Sequence, residues 1–341
     1  KNNIKYNQMI QLSYVKSLSR RLGHFAIGYA NYLNFLSQKL KSFNREDISS
    51  GIQKLTEESI VSFVKKNLKK YPNKNICLAG GVFANVRVNQ KISEIKGVDN
   101  VYIHPAMDDS GTSLGAALHC WIKFSSIKKF QQLESVYLGP SFSSKQIEKC
   151  VESSGLKYEK CENFEKKIGY FLNKGLIVGR YNGPLEWGPR SLGNRSILVK
   201  PTDKSINDIL NKRLNRTEFM PFAPSILEDD ASLILENYSK NDLAAKYMTI
   251  TYNVKKEFFS KIEAAVHIDG TARPQVVSFK DNPTYYNIIK SYKELSGIGV
   301  VLNTSFNMHE EPIVNSPEDA IKAFLLGAVD VLSIGKYIIE K

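Results

Sequence analysis

Apolar positions follow two different rhythms along this chain. Between Arg45 and Lys70, Ile48, Ile52, Leu55, Ile60, Phe63 and Val64 recur at helical spacing and predict an amphipathic helix or two. Before them, residues 1–44 read as helix or connector, with apolar positions at Phe25, Tyr29, Tyr32 and Phe35. A short buried-type strand is predicted at 75–79, ending in Gly80-Gly81, then a short helical segment to Ile95. A second strand, 101–104, leads into Asp108-Asp109-Ser110-Gly111 and a helix from Thr112 to about Phe124, with Gly115, Ala116 and Ala117 at close-packing positions. Strand, polar loop and helix thus occur twice, the order of an α/β arrangement. After a linker-like stretch at 125–137 a second α/β pattern begins. Its predicted helices lie at 144–154, 164–174, 205–214, 284–295 and 317–326, and its predicted strands at 176–181, 246–254, 299–303 and 331–334. Two domains are expected, 1–125 and 135–341.

Composition narrows the class. The 341 residues are 42% hydrophobic and 24% charged, as in globular proteins. No apolar run approaches the ~20 residues of a membrane span, and no signal-peptide pattern opens the chain. The first residue is Lys1 rather than methionine, so the chain is expected to start inside a longer protein. Cys77, Cys120, Cys150 and Cys161 are widely spaced, which suggests reduced thiols in a cytoplasmic protein. The formal charge of +13 comes largely from scattered lysines such as Lys65-Lys66 and Lys255-Lys256. Such a surface attracts polyanions without specificity, and a nucleic-acid partner is not expected.

The chemistry concentrates in residues 179–196, where Arg180, Arg190 and Arg195 sit among glycines and prolines directly after an apolar run. Guanidinium forks grip phosphate or carboxylate with paired hydrogen bonds, and glycine lets backbone N–H groups approach the same anion. Elsewhere each motif has two readings. Gly80-Gly81 with Asn85 is either a nucleotide-facing loop or a tight strand-to-helix turn. Asp108-Asp109 either caps a helix, the commoner reason for Asp there, or holds a divalent metal. His267 reads as a structural histidine, whereas Arg273 in the same loop is as suited to an anion as to a surface salt bridge. Asn303-Thr304-Ser305-Phe306-Asn307 either points polar groups into a crevice or merely ends a strand.

Six motifs in order go further: 78–89 (Leu-Ala-Gly-Gly-Val-Phe-Ala-Asn-Val-Arg-Val-Asn), 109–118 (Asp-Ser-Gly-Thr-Ser-Leu-Gly-Ala-Ala-Leu), 188–198 (Gly-Pro-Arg-Ser-Leu-Gly-Asn-Arg-Ser-Ile-Leu), Pro-Phe-Ala-Pro-Ser at 221–225, Asp-Gly-Thr-Ala-Arg-Pro-Gln at 269–275 and Asn-Thr-Ser-Phe-Asn at 303–307. Over about residues 45–341 the chain resembles the O-carbamoyltransferase family of nodulation-factor and antibiotic tailoring enzymes. The resemblance implies the second lobe of an actin-like, sugar-kinase-like domain followed by a YrdC-like α/β domain. It implies that carbamoyl phosphate and ATP give carbamoyl-adenylate and pyrophosphate, and that the carbamoyl group then passes to a hydroxyl of a sugar or natural product with help from a divalent metal, Mg or Fe. Arg190, Arg273 and Ser305 match positions that hold carbamoyl phosphate and the adenylate. Arg180, Arg195, Arg216, Asn303 and Asn307 match supporting positions, Gly80, Gly81 and Asn85 the nucleotide-facing loop, and Asp109 the metal aspartate. Threonylcarbamoyl-adenylate synthesis for tRNA modification and a non-catalytic nucleotide- or nucleic-acid-binding module are the rival readings.

The chain also departs from the family pattern. Leu214 and Met220 stand where a lysine and an arginine are usual, with Lys212 and Arg213 nearby as replacements, and Glu310 stands where glycine is usual. The first kinase-like lobe, with its phosphate loop and H-x-x-x-H metal pair, has no counterpart in these residues. It is expected upstream or on a separate chain, together with the remaining metal ligands and the acceptor pocket.

Overall fold

A computed structural model describes residues 25–71, 73–126, 133, 135–215, 222–239 and 242–341. The chain divides into two compact units, one reaching to residue 74 and including 91–99, the other comprising 75–90 and 100–341. In the first, α1 (Phe25–Leu40) is followed by α2 (Arg45–Leu68), one continuous helix. Asn44 starts α2 by accepting the Asp47 N–H at 2.7 Å, and Glu46 and Asp47 sit at the positive end of its dipole.

The second unit opens with β1 (Asn75–Leu78), the helix α3 (Val86–Ser93) and β2 (Asn100–Ile103), whose strands pair in parallel from Asn75↔Asn100 to Leu78↔Ile103. A helix, α4 (Thr112–Phe124), follows. Two expectations fail here. The 75–79 strand is not of buried type, because only Leu78 of β1 is buried. The small residues of α4 are not close-packing either: no residue of the helix is buried, and a Cβ on Gly115 would meet nothing within 4 Å.

Beyond residue 135 the chain runs α5 (Ser144–Ser153), β3 (Glu159–Lys160), α6 (Phe164–Asn173), β4 (Val178–Tyr181), β5 (Arg195–Val199), α7 (Ile206–Arg213), β6 (Ala223–Leu227), α8 (Glu228–Ile234), β7 (Tyr252–Asn253), β8 (Thr271–Ala272), β9 (Gln275–Val277), α9 (Pro283–Ser296), β10 (Val300–Ser305), α10 (Pro317–Leu325), β11 (Val331–Ile334) and β12 (Tyr337–Glu340). Eight of these strands form one mixed sheet in the order β3-β12-β11-β4-β5-β10-β6-β9. Only β11–β4 and β6–β9 are parallel pairs. Strands β4, β5, β6 and β11 are buried along their whole length, the mark of a sheet covered on both faces. Helices α6 and α9 pack so closely that a Cβ on Gly169 would lie 2.8 Å from the Tyr292 nitrogen. Fold class α/β therefore holds.

The predicted strand at 246–254 is largely absent. Asp242 accepts the Ala244 N–H and starts a 3₁₀ turn, Leu243–Tyr247, which Met248 ends in a left-handed conformation (φ 55°). That local closure leaves only β7 extended, paired with β8. The four cysteines are unpaired, and no described helix is long and apolar enough to cross a membrane.

Candidate functional site

Tyr181 and Arg195 are register partners, so residues 182–194 form the connection between the adjacent antiparallel strands β4 and β5. One side chain organises that connection. The buried Glu186 accepts the backbone N–H groups of Leu192 (2.8 Å), Asn194 (2.7 Å) and Arg195 (3.2 Å) on a single carboxylate oxygen. Its other oxygen is buried without a partner. Gly193, at φ 114°, passes so close to Tyr285 that a Cβ would lie 2.4 Å from the ring. Leu192 anchors the loop in a cluster with Val136, Ala223 and Met248.

Three other strands hold the same loop. Gln275 Nε2 donates to the Leu192 carbonyl at 2.7 Å, and Asn303 Nδ2 donates to the Ser191 carbonyl at 3.3 Å and to Gln275 Oε1 at 2.9 Å. Ser225 Oγ donates to Gln275 Oε1 at 2.9 Å. The start of β9, the end of β10 and the middle of β6 thus converge on residues 191–192. Arg273 lies two residues before Gln275, and Ser305 lies opposite Ser196 at the end of β10.

The four arginines of this region divide into two pairs. Arg180 and Arg195 are fully buried. Arg180 donates to the Gly193 carbonyl, to Asn194 Oδ1 (3.1 Å) and to Thr284 Oγ1 (2.6 Å). Arg195 donates to the carbonyls of Asn182 (3.0 Å) and Asn194 (3.1 Å) and stacks 3.7 Å from the Tyr181 ring centre. Burial pushes Arg180 down to about 10, opposed by Tyr285, Tyr137 and Glu186. Arg190 and Arg273 are only partly buried, and among the described residues neither guanidinium has a hydrogen bond or an ion pair. Arg190 Nε is buried and unpartnered. Burial depresses both, and Arg273 falls to about 9 because Arg190 adds like-charge repulsion. Two partly buried guanidinium groups of like charge, without a hydrogen bond or ion pair among the described residues, are suited to an anion.

Other expected residues fall elsewhere. Asn307 donates through Nδ2 to the Glu311 carbonyl at 2.7 Å, and its Oδ1 is buried without a partner, as is that of Asn303. Gly80 (φ 117°) donates its N–H to the Met107 carbonyl at 2.6 Å, Gly81 begins a 3₁₀ turn, and both are exposed. Asn85 Oδ1 accepts the Val88 N–H at 3.2 Å, which caps α3. The Gly80 loop and the arginine loop are linked through β2, where the His104 ring meets Trp187 edge-on at 5.1 Å. Asp108, not Asp109, caps the turn before α4, accepting from Ser110 at 3.1 Å. The Asp109 residue is exposed, and among the described residues no cluster of three or more His, Cys, Asp or Glu side chains could hold a metal. The described residues therefore do not by themselves fit a metal ion. Arg216 and Met220 lie outside the described residues. Leu214 is buried, Arg213 is not free to replace a missing cation because it pairs with Asp330 at 2.6 Å, and Glu310 adopts φ 61°, the region that glycine favours. Sequence reasoning overlooked Glu186, although it is the only carboxylate in residues 179–196.

Residues 170–341 match the model of the carbamoyltransferase C-terminus, and residues 2–118 that of the carbamoyltransferase N-terminus. The chain belongs to the carbamoyltransferase family. All four arginines fall in the C-terminal family region, and the Gly80 and Asp109 loops fall in the N-terminal one. Similar proteins include the uncharacterized protein MJ1058 of Methanocaldococcus jannaschii, 38% identical over 90% of this chain and 51% of that protein. Nodulation protein NolO of Bradyrhizobium diazoefficiens is 33% identical over 86% of this chain and 54% of its own length. The chain spans about half the length of the curated relatives it matches. Among solved structures, full-length HypF in its phosphate- and nucleotide-bound form aligns with a TM-score of 0.36 and 19% identity, over 51% of this chain and 25% of that one.

Proposed function

We propose that this family member works in an O-carbamoyltransferase, forming carbamoyl-adenylate from carbamoyl phosphate and ATP for transfer to a hydroxyl of a sugar or natural product. In this reading residues 135–341 are a YrdC-like adenylate-forming domain, and the region before 125 is the second lobe of a kinase-like domain. The observation that carries it is the unneutralised Arg190–Arg273 pair in the C-terminal family region. Carbamoyl phosphate and ATP are both polyanions, so bringing them together requires fixed cations that water does not already screen. Arg190 and Arg273 bind the carbamoyl phosphate, and Ser305 lies at the end of the strand facing the same loop. Overall, carbamoyl phosphate, ATP and water give carbamoyl-adenylate, phosphate and pyrophosphate. A divalent metal at Asp109 would need its other ligands from outside the described residues. The unpaired cysteines suit a reducing compartment such as the cytoplasm.

Pyrophosphate release from ATP, dependent on carbamoyl phosphate, tests the proposal with this polypeptide alone. Release by the wild-type chain and its loss in both Arg190→Ala and Arg273→Ala are expected. Variants as active as wild type would remove these arginines from the site. Release that requires threonine and bicarbonate instead would favour threonylcarbamoyl-adenylate synthesis.

A further inference from the structure

Between the turn before α7 and the 256–270 segment lies a cavity of about 1110 Å³, with Lys204, Asn207, Phe259, Glu263, His267 and Ile268 in its wall. The hydrogen bonds behind His267 fix its protonation pattern. Thr271 Oγ1 lies 2.6 Å from Asp269 Oδ1 and 3.1 Å from His267 Nδ1. Arg87 lies 3.7 Å from the other Asp269 oxygen, and despite burial the Thr271 bonds and Arg87 hold that carboxyl below the usual carboxylate range. A carboxylate only accepts, so the single hydroxyl proton of Thr271 points to Asp269. Thr271 then accepts from His267, which places the ring proton on Nδ1 and leaves the Nε2 lone pair bare. Burial, with Arg273 adding to it, lowers the His267 pKa and keeps the ring neutral. Nε2 has no hydrogen bond among the described residues.

Asn207, in the same wall, keeps its unpartnered acceptor beneath the surface. Asn207 is 5% exposed, its Nδ2 donates to the Ala264 carbonyl at 3.1 Å, and its Oδ1 is unpartnered. Glu263 and Asp269 add carboxylate oxygens, and Lys204 is the lone cation of the lining. The remaining wall is apolar: Phe259, Val266 and the fully exposed side chain of Ile268. An acceptor-rich wall with an apolar side calls for a ligand with many donors and a C–H face. A sugar ring has both. A purine could offer its exocyclic amino group to His267, but it carries fewer donors than a sugar and would leave more of these acceptors unmet.

We propose that this cavity binds a sugar ring, one of whose hydroxyls donates to His267 Nε2. The inference rests on the chemistry proposed above, in which two sugars take part: the ribose of the nucleotide and a hydroxyl-bearing acceptor.

The experiment uses the full chain labelled with ¹⁵N in its histidine rings, titrated with ATP, 2′,3′-dideoxy-ATP, a methyl glucoside and inorganic phosphate. The expected resting state is the Nδ1–H tautomer of His267, converted to a mixture by Thr271→Val. A shift at Nε2 with ATP but not with the dideoxy compound identifies ribose as the occupant, and a shift with the glucoside identifies an acceptor sugar. His267→Ala should weaken the responding ligand about tenfold, the worth of one hydrogen bond, and leave phosphate binding unchanged. An Nε2–H tautomer, or an Nε2 signal unmoved by ATP and by the glucoside, overturns the inference. Phosphate that fails to bind at all refutes the arginine site instead, so the two failures are distinct.

Discussion

Arg180 and Arg190 lie ten residues apart on one strand and its loop, yet they do opposite work. Arg180, with Arg195, is enclosed: the terminal nitrogens donate to carbonyl, amide and hydroxyl oxygens of the fold, while Arg180 Nε and Arg195 Nε and Nη2 are buried without a partner. Arg190, with Arg273, makes no hydrogen bond or ion pair among the described residues; burial lowers both, and the charge of Arg190 lowers Arg273 further. The difference lies in which acceptors come within reach. Glu186 draws three N–H groups inward, and the carbonyls of Asn182, Gly193 and Asn194 turn toward the buried pair as the chain wraps around it. Arginine serves as internal scaffold in one case and is left available in the other, as the proposed anion receptor, and composition does not distinguish the two.

The contrast can be broken most sharply at the bare pair. Arg190→Ala or Arg273→Ala should reduce carbamoyl-phosphate-dependent pyrophosphate release about a hundredfold or more, the scale of a lost charge-stabilising donor. Their melting temperatures should not fall, because each change relieves repulsion. A drop in Tm as large as that of Arg180→Ala would erase the distinction. Arg180→Ala should lose about 3 kcal/mol in urea unfolding, because it empties a buried volume and takes the donor from the Gly193 carbonyl. Next comes Glu186. Glu186→Ala should weaken phosphate binding about tenfold, whereas Glu186→Gln, which keeps one accepting oxygen, should stay within about threefold of wild type. Equal effects of Ala and Gln would show that charge rather than loop geometry matters there. The smallest effect is expected at Glu310, where Glu310→Gly should raise stability by about 1 kcal/mol by relieving left-handed backbone strain, read as a small rise in Tm.

Legibility followed local signals. Three of the helices carry their own punctuation, whereas the uncapped α8 escaped the sequence reading. Ser143 with Gln146 and Ser316 with Asp319 form reciprocal caps, and Pro283 and Pro317 occupy first-turn positions. Strands β5 and β6 were not readable. The first begins with Arg195 and Ser196, and the second holds Pro224 between two neighbours, where a missing N–H argues against a strand. The stretch 246–254 failed in the opposite sense, its β-type residues being overruled by the Asp242 turn. Within the site, the arginine-rich loops could be found by residue type alone. Which guanidinium stays free could not, since that depends on how Glu186 folds the loop and on Gln275 and Asn303, whose partners in the loop lie far away in the chain.

One hydrogen bond described earlier has a consequence for folding itself. Gln275 grasps the Leu192 carbonyl from 83 positions away in sequence. The proposed receptor for a small polyanion would therefore come into being only when distant stretches have met. An incompletely assembled chain should be blind to phosphate, and phosphate capture during refolding would time the closing of this sheet.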